Sequence, residues 1–184
     1  MASKQKRIAY LREHLHYELL MLRFTWSRLK RVRVRLLWNA LYESFGVHAR
    51  NLIDFLRNEQ DSRNFKASDF IEKFEVAKKN KVDGVMQRMH QQLLHLGKQR
   101  TTDEDGEAKK INMVDVEKIG DWIETGLAQF TRELSEPYRE HWQPDRMDST
   151  EYSKLRIPVA GPPSQSSLPG FLATGMGSPK KEEG

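Results

Sequence analysis

The chain has 184 residues, of which 38% are apolar and 31% are charged, and it contains no cysteine. This length fits one domain with a tail, and the composition is typical of a soluble helical protein. The lack of cysteine excludes a disulfide framework and cysteine-ligated zinc. Because no stretch approaches about 18 uncharged apolar residues, we expect no membrane-spanning helix and a cytoplasmic protein.

Basic charge is concentrated at the N-terminal end of the chain. The net charge is +5 for the whole chain, but residues 1–36 contain ten basic and only two acidic residues. The rest of the chain is therefore net negative. This asymmetry is typical of a protein that contacts a polyanion or an acidic protein, and solubility alone is the other explanation.

The first predicted element is a long amphipathic helix. Ser3 is a suitable N-cap, and apolar residues recur at alternating three- and four-residue steps to about Lys30: Ile8, Leu11, Leu15, Leu19, Leu22, Trp26 and Leu29. A basic run overlaps its end and consists of Arg28, Lys30, Arg31, Arg33 and Arg35. We expect this run to join the first helix to the next, either as a solvated corner or as a patch that positions a phosphate backbone.

The central predicted element is a helix over Asn39–Leu56, with apolar residues that include Leu41, Phe45 and Leu52 at helical spacing. A polar row runs beside them and consists of Asn39, Glu43, Gly46, Arg50 and Asp54. Glycine costs a helix about 1 kcal/mol relative to alanine and is best tolerated where another backbone comes close. We therefore expect this helix to bury two faces, one of them partly polar.

Two shorter elements are predicted later in the chain. A polar loop at residues 58–66 leads to a short segment that Ser68 caps, and its apolar face is formed by Phe70, Ile71 and Phe74. Pro137 is predicted to start a new turn, because a proline inside a helix costs about 3 kcal/mol. The residues expected to pack this turn onto the core are Tyr138 and Trp142.

Two more long helices complete the predicted bundle. One runs from Val82 to Leu96 and is closed by Gly97, and the other spans residues 114–134, with an exposed loop at 98–112 between them. From residue 143 onward the chain is rich in Pro, Gly and Ser, which predicts a disordered tail. The predicted fold is an all-α antiparallel bundle of four to five helices at residues 1–142, with the tail at residues 143–184.

Two polar groups are candidates for chemistry. Arg88 and His95 are seven residues apart on the third helix, which puts both side chains on one face, about 10 Å apart along the axis. A histidine can take the proton of a ribose 2′-OH, and a guanidinium can hold the phosphate, so this pair predicts RNA cleavage without a metal or cofactor. The second group, on the central helix, contains Glu43, Arg50 and Asn51, of which Glu43 and Arg50 alternatively satisfy each other inside the bundle.

The segments NALYESFGVHARNLIDFL (residues 39–56) and MHQQLLHLGKQR (residues 89–100) resemble two signatures of bacterial proteins related to the HEPN superfamily. The resemblance covers roughly residues 36–130 and implies a helical bundle, often dimeric, that is either a metal-independent ribonuclease or a non-catalytic nucleotide- or RNA-binding module. The active motif of that superfamily is an arginine, then four to six residues, then a histidine. Arg88 and His95 match it at the long end, with Met89 in place of the usual polar residue, whereas no histidine follows Arg50-Asn51 at the required distance.

Three functional hypotheses follow from these patterns, and the third of them is a host- or phage-interaction protein that acts through the tail at residues 143–184. In the first, a homodimer of the toxin or defence type binds RNA and cleaves it, with Arg88 on the phosphate and His95 as general base. The residues that orient this site would be Glu43, Arg50 and Asn51. In the second, a non-catalytic regulatory subunit contacts nucleic acid or an acidic protein partner through the basic run, Arg28, Lys30, Arg31, Arg33 and Arg35.

Overall fold

The computed structural model describes residues 3–59, 63–94 and 111–145, except for the side chains of residues 90–94. These residues belong to one unit of the chain, Met1–Met147. They form helices, turns and loops, with no strand in the described ranges, so the predicted all-α fold is confirmed. None of the helices in these ranges has both the length and the apolar character that crossing a membrane requires.

The first long helix follows the predicted apolar spacing but changes its winding once. It consists of α1 (Lys4–Ala9), a π-helical segment (Tyr10–Leu15) and α2 (His16–Leu29). The hydroxyl of Ser3 accepts a hydrogen bond from the N–H of Lys6 at 3.3 Å, which is the predicted cap. The apolar stripe is fully buried at Leu11, Leu15, Leu19 and Leu22.

The central helix, α3 (Arg35–Arg57), begins four residues earlier than predicted and ends where predicted. Asn58 follows it in a left-handed backbone conformation, with a φ of 61°, which asparagine tolerates better than most residues. Its side chain donates to the carbonyl of Phe74 at 2.9 Å and accepts from the N–H of Ser68 at 2.7 Å. This asparagine therefore fastens the following loop to the end of α3.

The segment after this loop is not a helix capped by Ser68, and that prediction is wrong. The chain forms a short 3₁₀ turn at Ala67–Asp69 and a second one at Lys79–Val82, with irregular turns between them. Ser68 lies inside the first turn, where its N–H donates to the side chain of Asn58. The aromatic residues of the segment are nevertheless buried, at Phe70 and Phe74.

Two further helices close the bundle, α4 (Asp83–Leu94) and α5 (Met113–Glu133). The side chain of Asn112 accepts from the N–H of Asp115 at 3.1 Å, and the Asp115 carboxylate accepts from the N–H of Asn112 at 3.4 Å. This reciprocal capping satisfies two N–H groups at the start of α5. The predicted helix end at Gly97 lies outside the described residues.

The last described segment is held against the first helix, as predicted for the turn that begins near Pro137. It contains a 3₁₀ turn at Arg139–His141 flanked by two buried aromatic residues, Tyr138 and Trp142. The guanidinium of Arg7 donates to the Tyr138 hydroxyl at 3.2 Å, and that of Arg23 donates to the carbonyl of Pro144 at 2.7 Å. The predicted tail from residue 146 onward lies outside the described residues.

The core is centred on aromatic rings from four parts of the chain. Phe130 of α5 meets Phe55 of α3 edge-on, with ring centroids 5.2 Å apart, and meets Phe70 edge-on at 6.0 Å. Tyr10 of the π-helical segment stacks on Phe55 at 6.1 Å. Such aromatic pairs stabilise the fold by more than the burial of their apolar surface alone. The cluster connects the first helix, α3, the loop after α3 and α5.

Tyr10 gives the fold an alkaline limit. Burial, and secondarily the charges of Glu18 and Asp69, raise the pKa of Tyr10 to about 12, whereas a tyrosine in an unfolded chain titrates near pH 10. Between about pH 10 and pH 12 the Tyr10 hydroxyl therefore keeps its proton in the folded state but loses it in the unfolded state. The free energy of unfolding falls across this range by about 1.4 kcal/mol per pH unit. In urea unfolding across this range, Tyr10→Phe should flatten the decline relative to wild type, whereas the exposed-site control Tyr17→Phe should leave it unchanged.

Candidate functional site

The predicted basic run lies at the corner where α2 ends and α3 begins, and we call Arg28, Lys30, Arg31, Arg33 and Arg35 the basic corner. Arg31, Arg33 and Arg35 are exposed. Their guanidinium groups make no hydrogen bond or ion pair with any residue of the described ranges. Among the described residues, these three neighbouring cations therefore have no counter-charge.

The other two members of the basic corner rest on their own helix. The guanidinium of Arg28 lies 5.3 Å from the ring centroid of Phe24, and the ammonium of Lys30 lies 4.9 Å from that of Trp26. Lys30 also pairs with Glu117 of α5 at 3.5 Å. These contacts hold part of the positive charge in place beside the three free arginines.

Apolar side chains are exposed within the same corner. The exposed fractions of Val34, Leu36 and Leu37 are 64%, 80% and 40%. Branched aliphatic residues this exposed, next to one another and among arginines, are unusual on a surface that meets only water. The corner is therefore both cationic and apolar, which is typical of a contact surface.

Several arginines of the bundle itself are paired, in contrast to Arg31, Arg33 and Arg35. Arg23 forms a two-pronged ion pair with Glu124, with Nη2 at 2.7 Å from the carboxylate, and Arg139 donates twice to the carbonyl of Leu134. Arg12 is also exposed without a side-chain partner in the described ranges, so what distinguishes Arg31, Arg33 and Arg35 is that three such arginines lie within five residues.

A cleft of about 300 Å³ lies between α3 and α4 and contains two of the predicted supporting residues. We call it the α3–α4 cleft. Its polar lining includes Arg50, Asn51 and Asp54, and Gly46 leaves it open on the α3 side. Its apolar lining is formed by Val47, Ile53, Met86 and Met89.

The polar row of α3 is less buried than predicted. Glu43 and Arg50 are exposed and Asp54 is half-buried, whereas Gly46 is buried. Arg50 pairs with Asp54 one turn along, with Nε 3.6 Å from Oδ2, rather than with Glu43. We expected α3 to bury a second, partly polar face. Only the part of the polar row that lines the α3–α4 cleft is sheltered in this way.

Asp54 is the perturbed acid of this cleft. Burial raises the pKa of its carboxyl above the usual value, the charge of Arg50 opposes this, and the negative charge of Glu59 acts with burial. The ion pair with Arg50 therefore lowers the pKa of Asp54 by less than burial raises it. Perturbed acids in clefts are frequent at binding sites.

Arg57 builds one wall of the cleft, and the sequence patterns did not single it out. Its guanidinium donates to the carbonyl of Lys79 and to the carboxylate of Asp83, and it lies 5.4 Å from the ring centroid of Trp122. Only 10% of its side chain is exposed. These contacts join the end of α3 to the start of α4 and to α5, so Arg57 shapes the cleft without being available to a ligand.

Arg88, the predicted phosphate-holding residue, is engaged on the other side of α4. Its Nη2 lies 2.7 Å from the carboxylate of Asp115 on α5, and its Nη1 donates to the carbonyl of Gly84 at 3.3 Å. Asp115 is 14% exposed, so this pair helps to dock α4 on α5. His95, its predicted partner, lies outside the described residues, and the pairing of the two stays a prediction.

A buried acid–histidine pair was also missed by the sequence patterns. The Nδ1 atom of His48 lies 2.7 Å from a carboxylate oxygen of Glu18, and the ring of Tyr17 packs edge-on at 5.6 Å. The two partners are thirty residues apart, so no local spacing indicates them. The pair fixes the face of α3 against α2.

The described residues thus define an all-α bundle with an exposed basic corner, three of whose arginines have no partner in the described ranges, and an amphipathic cleft. The chain matches no protein-family model, no curated protein and no solved structure. The HEPN resemblance accordingly stays a prediction from the sequence.

Proposed function

We propose that this protein binds RNA through the basic corner. The observation that carries the proposal is the exposure of Arg31, Arg33 and Arg35 without a partner in the described ranges. Paired arginines would have to lose an internal contact before they could hold a phosphate, whereas these three need to lose only water and counterions. Release of counterions from the nucleic acid then favours binding.

The apolar side chains of the corner favour a single-stranded ligand. Val34 lies between Arg33 and Arg35 in the sequence, Leu36 and Leu37 follow Arg35 directly, and all three are exposed. In a duplex the faces of the bases are stacked and closed, but in a single strand they are open to apolar side chains. We therefore expect the arginines to position the phosphates and the aliphatic residues to contact base or ribose surfaces.

The test is the affinity of single-stranded RNA for a variant with Arg31, Arg33 and Arg35 all replaced by glutamine. At about 1 kcal/mol for each lost contact, the affinity should fall about a hundredfold, as measured by fluorescence anisotropy. The matched control replaces Lys73, Lys81 and Arg132 by glutamine, which removes the same charge from exposed positions elsewhere. Equal losses in both variants would mean that net charge alone is responsible, and would overturn the proposal.

An acidic protein is the competing partner for the same surface. The salt dependence separates the two, because counterion release from a nucleic acid gives a linear dependence of log affinity on log salt concentration. A preference for RNA over DNA of the same sequence would further indicate contacts to the 2′-hydroxyl.

Cleavage of the bound RNA is a separate part of the proposal. It requires Arg88 to exchange Asp115 for a phosphate and His95 to approach the same phosphate. We expect the wild-type protein to cleave single-stranded RNA, but not DNA, in the presence of a chelator, and His95→Ala to bind RNA without cleaving it. Binding without cleavage by the wild type would leave a non-catalytic RNA-binding protein.

A further inference from the structure

The α3–α4 cleft is charge-balanced, and this limits the ligand that it accepts. Arg50 is opposed by Asp54, and Arg57 is opposed by Asp83 and Glu59. An anion would have to compete with Asp54 for Arg50, and a cation would have to compete with Arg50 for Asp54. A ligand that carries both charges also opens the Arg50–Asp54 pair, but it leaves neither residue without an opposite charge.

The existing pair in the cleft is loose enough to be opened. The Nε atom of Arg50 lies 3.6 Å from Oδ2 of Asp54, beyond the usual range of about 2.7–3.2 Å for a hydrogen bond. Half of the Arg50 side chain and about a third of the Asp54 side chain are exposed. Pairs of this kind, four residues apart on a helix surface, contribute little to stability, so a ligand can insert between them at small cost.

The apolar lining completes the description of the ligand. Val47, Ile53, Met86 and Met89 line the cleft beside the charged pair. Methionine side chains adapt to different apolar shapes and make favourable contacts with aromatic rings. A volume of about 300 Å³ is at the small end of the range of about 300–1,000 Å³ found for small-molecule sites.

We propose that the α3–α4 cleft binds a free α-amino acid with an apolar side chain. The ligand carboxylate lies on the guanidinium of Arg50, the ligand ammonium lies on the carboxylate of Asp54, and the ligand side chain packs on Met86 and Met89. In an α-amino acid a single carbon atom joins the two charged groups, and residues one helical turn apart present their side chains as neighbours. The two charges of the ligand therefore meet their opposites at the same time.

The state of Asp54 supports this arrangement. Burial raises the pKa of its carboxyl, and the charges of Arg50 and Arg57 only oppose this shift, so a further opposite charge would stabilise the carboxylate. An ammonium group would supply both an opposite charge and hydrogen-bond donors. The proposal does not depend on RNA binding, because none of the basic-corner residues lines this cleft.

The experiment compares three forms of one ligand by isothermal titration calorimetry on the full chain. L-Phenylalanine should bind saturably. N-Acetyl-L-phenylalanine, which lacks the ammonium, and L-phenylalanine amide, which lacks the carboxylate, should each bind about tenfold more weakly or worse, because each loses one charged contact. L-Leucine and L-methionine test whether an aliphatic side chain fits better than a ring.

Two variants assign the binding to the cleft. Arg50→Gln and Asp54→Asn should each weaken L-phenylalanine binding about tenfold or more. The matched controls are Arg132→Gln and Glu133→Gln, which remove the same charges from an exposed Arg–Glu pair on α5 and should leave binding unchanged. Arg50, Arg132 and Glu133 are exposed and Asp54 is half-buried, and thermal melting confirms that each variant is folded. The proposal is overturned if none of the three free amino acids binds saturably, if the acetylated or amidated form binds equally well, or if the controls lose as much affinity.

Discussion

Replacing Phe130 by alanine is expected to lower the free energy of unfolding by about 3–5 kcal/mol. Phe130 is fully buried, and its ring meets those of Phe55, Phe70 and Phe74 edge-on at 5.2–6.0 Å. Truncation therefore removes apolar contacts with several elements and leaves a cavity that α3 and α5 cannot close without shifting. Urea unfolding followed by circular dichroism measures the effect.

The control for Phe130 is Val114→Ala on the same helix. Val114 is 71% exposed, so its truncation should change stability by no more than about 0.5 kcal/mol. If Phe130→Ala costs as little as Val114→Ala, the aromatic cluster is not the centre of the core.

Arg57→Ala is expected to lower the free energy of unfolding by about 2–3 kcal/mol. The guanidinium satisfies the carbonyl of Lys79 and the carboxylate of Asp83 and lies over Trp122. Alanine leaves these groups without their charged donor and removes the packed stem of the side chain. The same urea titration, together with hydrogen exchange of the α4 amides, should show that α4 is held less firmly.

Arg50→Ala is the matched control for Arg57, because it removes the same side chain from the same helix. Arg50 is half exposed and pairs loosely with Asp54, so the change should cost about 0.5 kcal/mol or less. Equal losses for the two arginines would mean that the contacts of Arg57 contribute nothing beyond an ordinary surface pair.

The long helices were predictable because their apolar spacing is continuous. The first helix and α5 keep their three- and four-residue steps over their whole length, so burial of one face fixes both the period and the approximate ends. The π-helical segment Tyr10–Leu15 left no signal, since the apolar spacing continues through it. The start of α3 at Arg35 was missed because its first turn exposes Leu36 and Leu37, and apolar residues there did not follow the stripe.

The segment after α3 was not predictable from local pattern. Asn58 binds Ser68 and Phe74, which are ten and sixteen residues away. The second contact occupies the Phe74 carbonyl, which would have accepted a backbone hydrogen bond in a helix. Such contacts depend on which distant residues come close in the folded chain, and helix propensities and capping rules describe only neighbouring residues.

In the candidate sites, too, local spacing was predictable and contacts with distant residues were not. Helical spacing correctly places Arg50 and Asp54 on one stripe, but it does not say what that stripe meets, and most of the stripe is exposed. The partner of Arg88 is Asp115, twenty-seven residues away on another helix, so the engagement of this arginine was invisible. The basic corner could be predicted from two features of the sequence alone: the local excess of arginine and lysine, and the break between two apolar patterns.

The salt dependence of RNA binding tests the function of the basic corner most directly. Anisotropy titrations of a single-stranded RNA between about 50 and 300 mM KCl give the slope of log affinity against log salt concentration. If Arg31, Arg33 and Arg35 each neutralise one phosphate, replacing all three by glutamine should reduce the magnitude of this slope by about 2, at about 0.7 per contact on single strands. An unchanged slope in the triple variant would contradict phosphate binding at this corner.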